Sequence, residues 1–287
     1  MAGPAVGLHR HARPAFSRRW TDRALWDILG KSLGVPVWRL LGGRTAAAMP
    51  VYASGGWAGP DKIGEQLLGY IEQGGFRAVK MRVGIIDTDP RHSARRVAAA
   101  RAALGPECEL MCDAHGTFSV AGAKRFCRLV EDRNLTWLEE PVTADDKAGC
   151  AAVRTATDIP IAAGESEFTR HDFRDLATLG AVDIFQPDLA ICGGITEAMR
   201  ISALASAHNL RLAPHLWADA PAFAAGLHVA AASPAGFIVE YSLGAIPLLH
   251  DLIEESFPVQ DGLIEIPDRP GLGITVREDF LAEHTVK

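Results

Sequence analysis

The chain has few cysteines, no surplus of basic residues and no long apolar run, and each shortage excludes a class of protein. Its five cysteines form no CxxC pair, so neither a disulfide framework nor a thiolate zinc site is expected, and we interpret them as free thiols in a reducing cytosol. The formal net charge of −6 argues against nucleic acid or an anionic membrane as a partner. No stretch approaches the roughly 18 consecutive apolar residues of a transmembrane helix, so we expect a cytoplasmic protein.

The first segment of the chain lacks acidic residues. Residues 1–20 carry arginines but no apolar core segment, which excludes an ordinary secretory signal. We interpret them as a poorly ordered leader, with a transit peptide or the remnant of a lost upstream domain as alternatives. Residues 21–49 predict a helix and a linker, in which Thr21 or Asp22 caps a helix that ends at Gly34. The apolar stripe predicted to face the core consists of Ala24, Leu25, Ile28, Leu29 and Leu33.

From Pro50 onward the chain repeats one unit, in which a short apolar run ends in a polar residue and an amphipathic helical pattern follows. The predicted strands are 51–55, 78–83, 109–113, 136–139, 160–164, 183–186, 211–214 and 237–239. The clearest helical stretches are 61–73, 89–104, 120–132, 196–208 and 220–232. Strands separated by such helices imply right-handed crossovers and a parallel sheet. Eight strands in about 190 residues favour a closed barrel over an open sheet.

The polar residues at the ends of six predicted strands recur at an interval of roughly 25 residues. They are Asp113, Glu139, Glu165, Asp188, His215 and Glu240. The carboxyl ends of parallel barrel strands lie on one face, where barrel enzymes place their active sites. Independent helix caps do not explain six ionisable residues in register, so we expect them to converge on one site. Converging carboxylates repel each other unless a cation lies between them, which favours a metal site.

Short motifs in a fixed order carry a resemblance to a known family. They are ALWDILGKSLGVPVWRLLGG (24–43), VKMR (79–82), MCDAHG (111–116), WLEEP (137–141), AAGE (162–165), DIFQPDLAICGGIT (183–196), APHLW (213–217), IVEY (238–241) and IPDRPGLGI (266–274). The ordered set resembles the enolase superfamily, and within it the mandelate racemase and muconate lactonizing enzyme family with its acid-sugar dehydratases. The resemblance implies an α/β fold, a TIM-like modified (β/α)7β barrel over residues 50–245 with a C-terminal tail over 246–287. The family's N-terminal α+β cap is expected to be absent or truncated here.

The resemblance also implies a metal cofactor and its ligands. Asp113, Glu139 and Glu165 match the family's Mg²⁺ ligands, whereas Glu140, the second glutamate of WLEEP, is not expected to touch the metal. Mg²⁺ prefers oxygen ligands and keeps positions open for water or substrate oxygens. A cation held there neutralises the charge that develops when a proton is removed beside a carboxylate.

Acid and base roles follow from the same resemblance. His215 and Asp188 match a His–Asp dyad in which the aspartate orients the imidazole and the other nitrogen takes the α-proton; a purely structural histidine is the alternative. Glu240 matches a glutamate that, when protonated, donates a hydrogen bond to the substrate carboxylate, and a plain salt bridge is the alternative. His115, two residues after Asp113, is expected on the same side of the strand as a general acid or as a pocket-lining residue.

The second strand departs from the family's common Lys-x-Lys pattern. It reads Lys80-Met81-Arg82, and an arginine is a poor base but a good carboxylate clamp. Racemisation needs a base on each face of the substrate, whereas elimination needs one base and an acid, so the sequence favours dehydration. A desolvated Lys80 acting as the second base is the alternative.

We therefore expect a Mg²⁺-dependent hydro-lyase acting on an aldonate or aldarate sugar acid through an enediolate. A racemase, epimerase or cycloisomerase with the same metal is the first alternative, and a non-catalytic truncated barrel is the second. Relatives in the family are commonly oligomers, so a homo-oligomer is expected. Gly193 and Gly194 suggest close backbone packing or a phosphate site, and Trp57 and Trp217 suggest pocket lining or core packing.

Overall fold

The computed structural model describes residues 12–85, 87 and 89–285. The strands in these residues are β1 Ala48–Gly55, β2 Ala78–Arg82, β3 Glu109–Asp113, β4 Leu135–Glu139, β5 Ile161–Ala163, β6 Ile184–Phe185, β7 Arg211–Leu212, β8 Val239–Ser242, β9 Val259–Gln260 and β10 Leu263–Glu265. The α-helices are α1 Ala12–Leu33, α2 Val37–Leu40, α3 Ile63–Gly74, α4 Pro90–Leu104, α5 Val120–Val130, α6 Lys147–Arg154, α7 Thr169–Thr178, α8 Ile195–Ala207, α9 Ala220–Ala232, α10 Pro247–His250 and α11 Glu278–His284. A short 3-10 turn over Glu131–Arg133 follows α5.

Strands β1 to β8 form a closed parallel barrel. Each strand from β1 to β6 pairs with the next, and β8 pairs with β1. A bridge between Leu212 and Gly236 closes the ring between β7 and β8. Among the described residues, one helix of the series α3 to α9 follows each of the first seven strands. The arrangement confirms the predicted (β/α)7β barrel, with right-handed crossovers as the rule for this connection.

One layer of apolar side chains fills the barrel interior. Its members are Tyr52, Ala78, Met111, Trp137, Ala162, Ile184, Ala213 and Ile238. Side chains alternate along a strand, so the residue two positions later faces the interior again, one level nearer the carboxyl end. At seven of these eight positions that level carries a polar or ionisable residue: Ser54, Lys80, Asp113, Glu139, Gln186, His215 and Glu240. The apolar layer therefore forms a floor beneath a ring of polar groups.

Helix α1 departs from the prediction at both its start and its orientation. It begins at Ala12 and so includes the part of the predicted leader that lies within the described residues; residues 1–11 lie outside them. The predicted core-facing stripe is exposed, with Leu25 at 60% and Ile28 at 61%. The opposite, polar face packs on the barrel: the Trp26 indole donates to Thr196 Oγ1 at 2.9 Å, and the Asp27 carboxylate accepts the Leu272 N–H at 2.8 Å.

The boundaries of the other predicted helices and strands lie close to those of the structure, and the start of β8 is the shift that affects a site residue. Helix α9 spans the predicted residues, and α4 begins after Asp89, whose carboxylate caps it by accepting the Arg91 N–H. Strand β8 begins at Val239, two residues later than the predicted start of 237, so Glu240 lies within the strand and not at its end. The C-terminal tail contributes the strands β9 and β10, and β10 pairs antiparallel with β1. No described helix is both long and apolar enough to span a bilayer.

A buried histidine joins α9 to α2 and to the C-terminal tail. His228 is fully buried, accepts the Trp38 N–H at Nδ1 and lies 3.2 Å from the Leu272 carbonyl through Nε2. Both contacts are satisfied by the neutral ring, because a proton on Nδ1 would face another donor. Burial lowers the pKa of His228 to about 4.

We predict that this histidine makes the fold sensitive to acid. The pKa in the folded chain is below the ordinary value near 6.5, so its contribution to stability is complete above that pH and is lost as the pH falls towards 4. The loss corresponds to about 3 kcal/mol in the free energy of unfolding. Urea unfolding between pH 7.5 and 4 should show a smaller loss in His228→Gln than in the wild type. The exposed His208→Gln serves as the control, and a wild-type profile in His228→Gln would contradict the prediction.

Candidate active site

Three carboxylates from adjacent strands converge above the apolar floor. Asp113 ends β3, Glu139 ends β4, and Glu165 follows β5. Each offers an oxygen, and these oxygens all lie within 4.8 Å of one another. Asp113 and Glu139 are fully buried and Glu165 is 7% exposed. The predicted geometry is therefore present at the carboxyl face of the barrel.

Glu139 is held at both oxygens. The Lys80 ammonium lies 2.6 Å from Oε1, while the Trp137 indole and the Gln186 amide donate to Oε2 at 3.1 and 2.7 Å. Gln186 is not among the site residues predicted from the sequence. Its position in the sequence could have indicated this role, because it lies two residues after the interior Ile184 and its side chain is therefore at the level of the carboxylates. Three donors fix this ligand before any cation binds.

The contacts of Lys80 disfavour its alternative role as a base. Its ammonium is fully buried and lies 2.9 Å from Glu240 Oε1 and 3.6 Å from Asp113 Oδ2, in addition to its contact with Glu139. Burial alone would lower the pKa of Lys80, but the Glu139 and Glu240 carboxylates outweigh it and raise the pKa. An ammonium that contacts three carboxylates tends to keep its proton, so Lys80 is poorly placed to accept one from a substrate. Lys80 instead balances the buried carboxylates.

Glu240 takes the alternative role that the sequence left open. Its carboxylate is fully buried beneath the site, pairs with Lys80 and accepts the Leu216 N–H at 3.0 Å. Burial would raise the pKa of Glu240, but the Lys80 ammonium lowers it to about 2. An ionised carboxylate cannot donate a hydrogen bond to a substrate, so the salt bridge describes it better.

Arg82 contacts a carboxylate of the protein itself. Its guanidinium pairs with the Asp113 carboxylate, and its carbon lies 5.5 Å from the centroid of the Trp57 ring and 5.2 Å from that of Trp217. Cations over aromatic faces are held electrostatically. The Arg82 side chain is 6% exposed and lines the same cavity as both indoles. Its guanidinium therefore contacts Asp113 on one side and borders the cavity on the other.

The structure brings His215 and Asp188 together as predicted. A parallel bridge joins the two residues beyond the ends of β6 and β7, and His215 Nδ1 lies 2.7 Å from Asp188 Oδ2. The carboxylate fixes the proton on Nδ1 and leaves Nε2, 3.4 Å from Glu165 Oε2, directed at the carboxylate cluster. Burial alone would lower the pKa of His215, but the surrounding carboxylates, with Glu165 first, raise it to about 10.

His115 reaches the cavity by a different route from the one predicted. It does not continue β3, because its backbone takes a φ of 47° after Asp113. The Asp113 carboxylate accepts the His115 N–H at 2.8 Å, which stabilises this turn. His115 Nδ1 then lies 3.1 Å from Glu165 Oε1, and this hydrogen bond raises the pKa of the imidazole. Glu165 thus lies between the two histidines.

Glu140 lies beside the cluster. It is 5% exposed, and burial together with Glu165 raises its pKa to about 8. The Gly193–Gly194 pair serves packing: Thr196 N–H, in the first turn of α8, donates to the Asp22 carboxylate, and a Cβ at Gly194 would lie 2.5 Å from that carboxylate. Asp22 therefore caps α8 and not its own helix.

A cavity of about 270 Å³ opens above the carboxylates. Its lining residues are Trp57, Arg82, Ile85, His115, Glu165, His215 and Trp217. A larger cleft, of about 500 Å³, lies between α5 and the segment before β5 at the opposite end of the barrel. We place the site at the smaller cavity, because the buried ionisable groups converge there and barrel chemistry occurs at the carboxyl face.

The donor set fits a hard divalent cation. The carboxylates of Asp113, Glu139, Glu165, Asp188 and Glu240 outnumber the basic side chains that contact them, which are Lys80, Arg82, His115 and His215. Glu165 Oε2 is buried and has no hydrogen-bond partner among the described residues. A buried, unsatisfied carboxylate oxygen is costly unless a cation completes it, and oxygen ligands of this kind suit Mg²⁺.

With this geometry in place, the family can be assigned. Residues 62–280 match the family described as enolase C-terminal domain-like. This chain belongs to that family. The match covers α3 to the start of α11 and so includes every residue of the carboxylate cluster and of the dyad. Family membership confirms the resemblance and the barrel class that the motifs predicted.

Individual relatives fall into two activity classes. D-galactonate dehydratase from Ralstonia pickettii is 38% identical over 278 residues, which cover 92% of this chain and 72% of the relative. D-galactarolactone cycloisomerase from Agrobacterium fabrum is 34% identical over 91% of this chain and 72% of the relative. The crystal structure of 3,6-anhydro-D-galactonate cycloisomerase from Zobellia galactanivorans superposes with a TM-score of 0.91 at 34% identity, over 97% of this chain and 78% of that one.

We predict that Gln186 controls cation affinity through Glu139. Gln186→Met keeps the volume of the side chain and removes the donor to Glu139 Oε2, so Mn²⁺, a paramagnetic substitute for Mg²⁺, should bind about 10- to 100-fold more weakly. Electron paramagnetic resonance of free Mn²⁺ measures this without a substrate. The exposed Gln73→Met, on α3, is the control. Equal Mn²⁺ affinity in Gln186→Met and in the wild type would exclude this role.

Proposed function

We propose that this chain is a Mg²⁺-dependent hydro-lyase that dehydrates an acid sugar of the aldonate or aldarate class, with D-galactonate as the first candidate. The observation that carries the proposal is the His215–Asp188 dyad directed at three converging carboxylates, 2.7 Å from imidazole to aspartate. D-galactonate dehydratases at 35–38% identity support the substrate class. The five buried, free cysteines suit the reducing cytoplasm.

Asp113, Glu139 and Glu165 would hold the Mg²⁺ ion. When bound, the ion supplies Lewis-acid stabilisation of the negative charge that develops on the substrate carboxylate. Lys80 and the donors around Glu139 keep the ligands in place. Glu165 Oε2 has no hydrogen-bond partner among the described residues and lies 3.4 Å from His215 Nε2, so a bound cation would complete it.

His215 is the proposed base. Its Nδ1 is held by Asp188, so Nε2 is the nitrogen that can take the proton from the carbon beside the substrate carboxylate. The carboxylates that raise its pKa also stabilise the imidazolium that forms. A cation among those carboxylates offsets part of their charge and brings the imidazole towards its neutral, basic form.

His115 is the proposed acid. Its imidazole lines the cavity, its side chain is 48% exposed, and the Glu165 carboxylate favours its protonated form. Proton transfer from this imidazolium to the departing β-hydroxyl would release water. The remaining enol then takes a proton at the β-carbon to give a 2-keto-3-deoxy acid.

Racemisation, cycloisomerisation and a non-catalytic barrel are the alternatives to dehydration, and the contacts of the possible bases and the activities of the relatives bear on them. Racemisation through Lys80 is disfavoured, because the ammonium is fully paired below the cavity. Cycloisomerisation remains the second candidate function, since two similar proteins carry that activity. A non-catalytic barrel is disfavoured by the dyad, because an unused histidine need not keep a 2.7 Å contact to a buried aspartate.

We expect the chain to convert D-galactonate, with Mg²⁺, to a product lighter by one water. Semicarbazide detects the 2-keto-3-deoxy acid, and mass spectrometry in D₂O separates the outcomes. A racemase would return substrate that has gained deuterium at the α-carbon without any loss of water, and a cycloisomerase would give an isomer. Loss of the base in His215→Asn should lower kcat by about 10²- to 10⁴-fold.

The matched control for the activity test is His92→Asn, which changes an exposed histidine on α4. Turnover in His215→Asn equal to that of His92→Asn would exclude His215 as the base. If a panel of aldonates and aldarates yields only isomers, cycloisomerisation would replace dehydration as the proposed function.

We also predict that Mg²⁺ stabilises the folded chain. A ligand present at 100 times its Kd adds about 2.7 kcal/mol, which raises Tm by about 5–10 °C for a domain of this size. EDTA-treated protein should therefore melt at a higher temperature after addition of Mg²⁺, and Asp113→Asn should reduce the shift. The exposed Asp132→Asn should keep it. An unchanged Tm at millimolar Mg²⁺ would count against the metal site.

A further inference from the structure

A buried arginine on α4 lies behind the cavity wall. Arg96 is 1% exposed, and its guanidinium donates to three backbone carbonyls and one carboxylate. Nε donates to the Ala58 carbonyl at 2.8 Å, and Nη2 donates to the Gly56 carbonyl at 2.8 Å. Nη1 donates to the Arg82 carbonyl at 2.7 Å and to the Asp87 carboxylate at 2.9 Å. The Asp87 charge offsets the buried guanidinium.

The three carbonyls belong to two different segments of the cavity wall. Gly56 and Ala58 flank Trp57, whose ring lines the cavity and is 43% exposed. Arg82 ends β2, and its guanidinium lies against that same ring. The Arg96 side chain from α4 therefore joins the loop that contains Trp57 to the end of β2, which contains Arg82.

The loop around Trp57 depends on such anchors. Residues 56–59 form neither helix nor strand, and the backbone hydrogen bonds that they accept lie at the two ends of the loop: the Gly56 carbonyl accepts the Arg82 N–H, and the Gly59 carbonyl accepts the Lys62 and Ile63 N–H groups. Arg96 donates two hydrogen bonds to this loop, and the Gln66 side chain accepts a third from the Ala58 N–H at 2.9 Å. Contacts of this kind decide where a loop side chain stands in a binding pocket.

We propose that Arg96 is a positioning residue for the substrate cavity: it holds Trp57 against Arg82 and so fixes the wall against which the sugar acid binds. The effect on substrate binding rests on the proposed function, whereas the effect on Trp57 does not. A planar guanidinium serves four acceptors in fixed directions, and the single ammonium of a lysine cannot bridge both segments.

Arg96→Lys tests the proposal in two independent ways. With 5-fluorotryptophan incorporated, the ¹⁹F resonance of Trp57, assigned by its loss in Trp57→Phe, should shift and broaden, while that of Trp137 in the barrel floor stays unchanged. With D-galactonate and Mg²⁺, KM should rise about tenfold while kcat changes by less than about threefold, because binding weakens and the dyad is untouched. Mn²⁺ affinity should stay at the wild-type value.

Arg101 on the same helix provides a matched control. It also links segments through backbone carbonyls, those of Gly105, Cys108, Arg133 and Asn134. These acceptors lie at the opposite end of the barrel, before β3 and β4. Arg101→Lys should therefore lower stability without moving the Trp57 resonance or KM.

The comparison has clear contrary outcomes. An unchanged Trp57 resonance in Arg96→Lys, or an equal shift in Arg101→Lys, overturns the proposal, as does a fall in kcat at constant KM. If Arg96→Lys does not fold, the double variant Arg96→Gln/Asp87→Asn leaves no unpaired buried charge and carries the same two readouts. Lack of turnover by the wild type would contradict the proposed function alone, because the ¹⁹F comparison needs no substrate.

Discussion

The structure depends on balancing negative charge inside a closed barrel. Carboxylates from several strands meet above the apolar floor, where water is excluded and unpaired charge is costly. The Lys80 ammonium contacts three of them, Glu139, Glu240 and Asp113, and Arg82 pairs with Asp113 from above. These two cations neutralise the lower part of the cluster, whereas Glu165 at its upper edge contacts only histidines among the described basic side chains and keeps one oxygen without a hydrogen bond. The position left for a cation is thus set by which carboxylates the protein does not neutralise.

Sequence alone predicted most of the carboxylate cluster, and the reason is local. A strand places alternate residues on the same side, so an acidic residue at the end of each apolar run must face the same edge of the barrel. Asp113, Glu139 and the His215–Asp188 pair follow from this rule. The pairing of Lys80 does not, because it depends on Glu240, which comes 160 positions later and lies in the interior only once the barrel closes.

Long-range polar contacts also explain the other features that were not predicted from the sequence. Helix α1 has an apolar stripe that favours burial, yet its polar face supplies partners at sequence separations of 170 and 245 residues, to Thr196 and Leu272. The roles of Gln186 and Arg96 were not predicted from the sequence for a related reason. Gln186 acts on a carboxylate two strands away, and the acceptors of Arg96 are mainly backbone carbonyls, which every residue possesses and no motif marks.

The positioning residues divide the site into two parts that share one ion pair. Gln186 and Lys80 hold the deep carboxylates from within the barrel, whereas Arg96 holds the outer wall from a surrounding helix. The Arg82–Asp113 pair joins them, because its carboxylate belongs to the cluster and its guanidinium belongs to the wall. A change in the loop that carries Trp57 can therefore alter which acid sugar fits while Asp113 keeps its partner. This separation allows the outer wall to change while the deep carboxylates keep their partners.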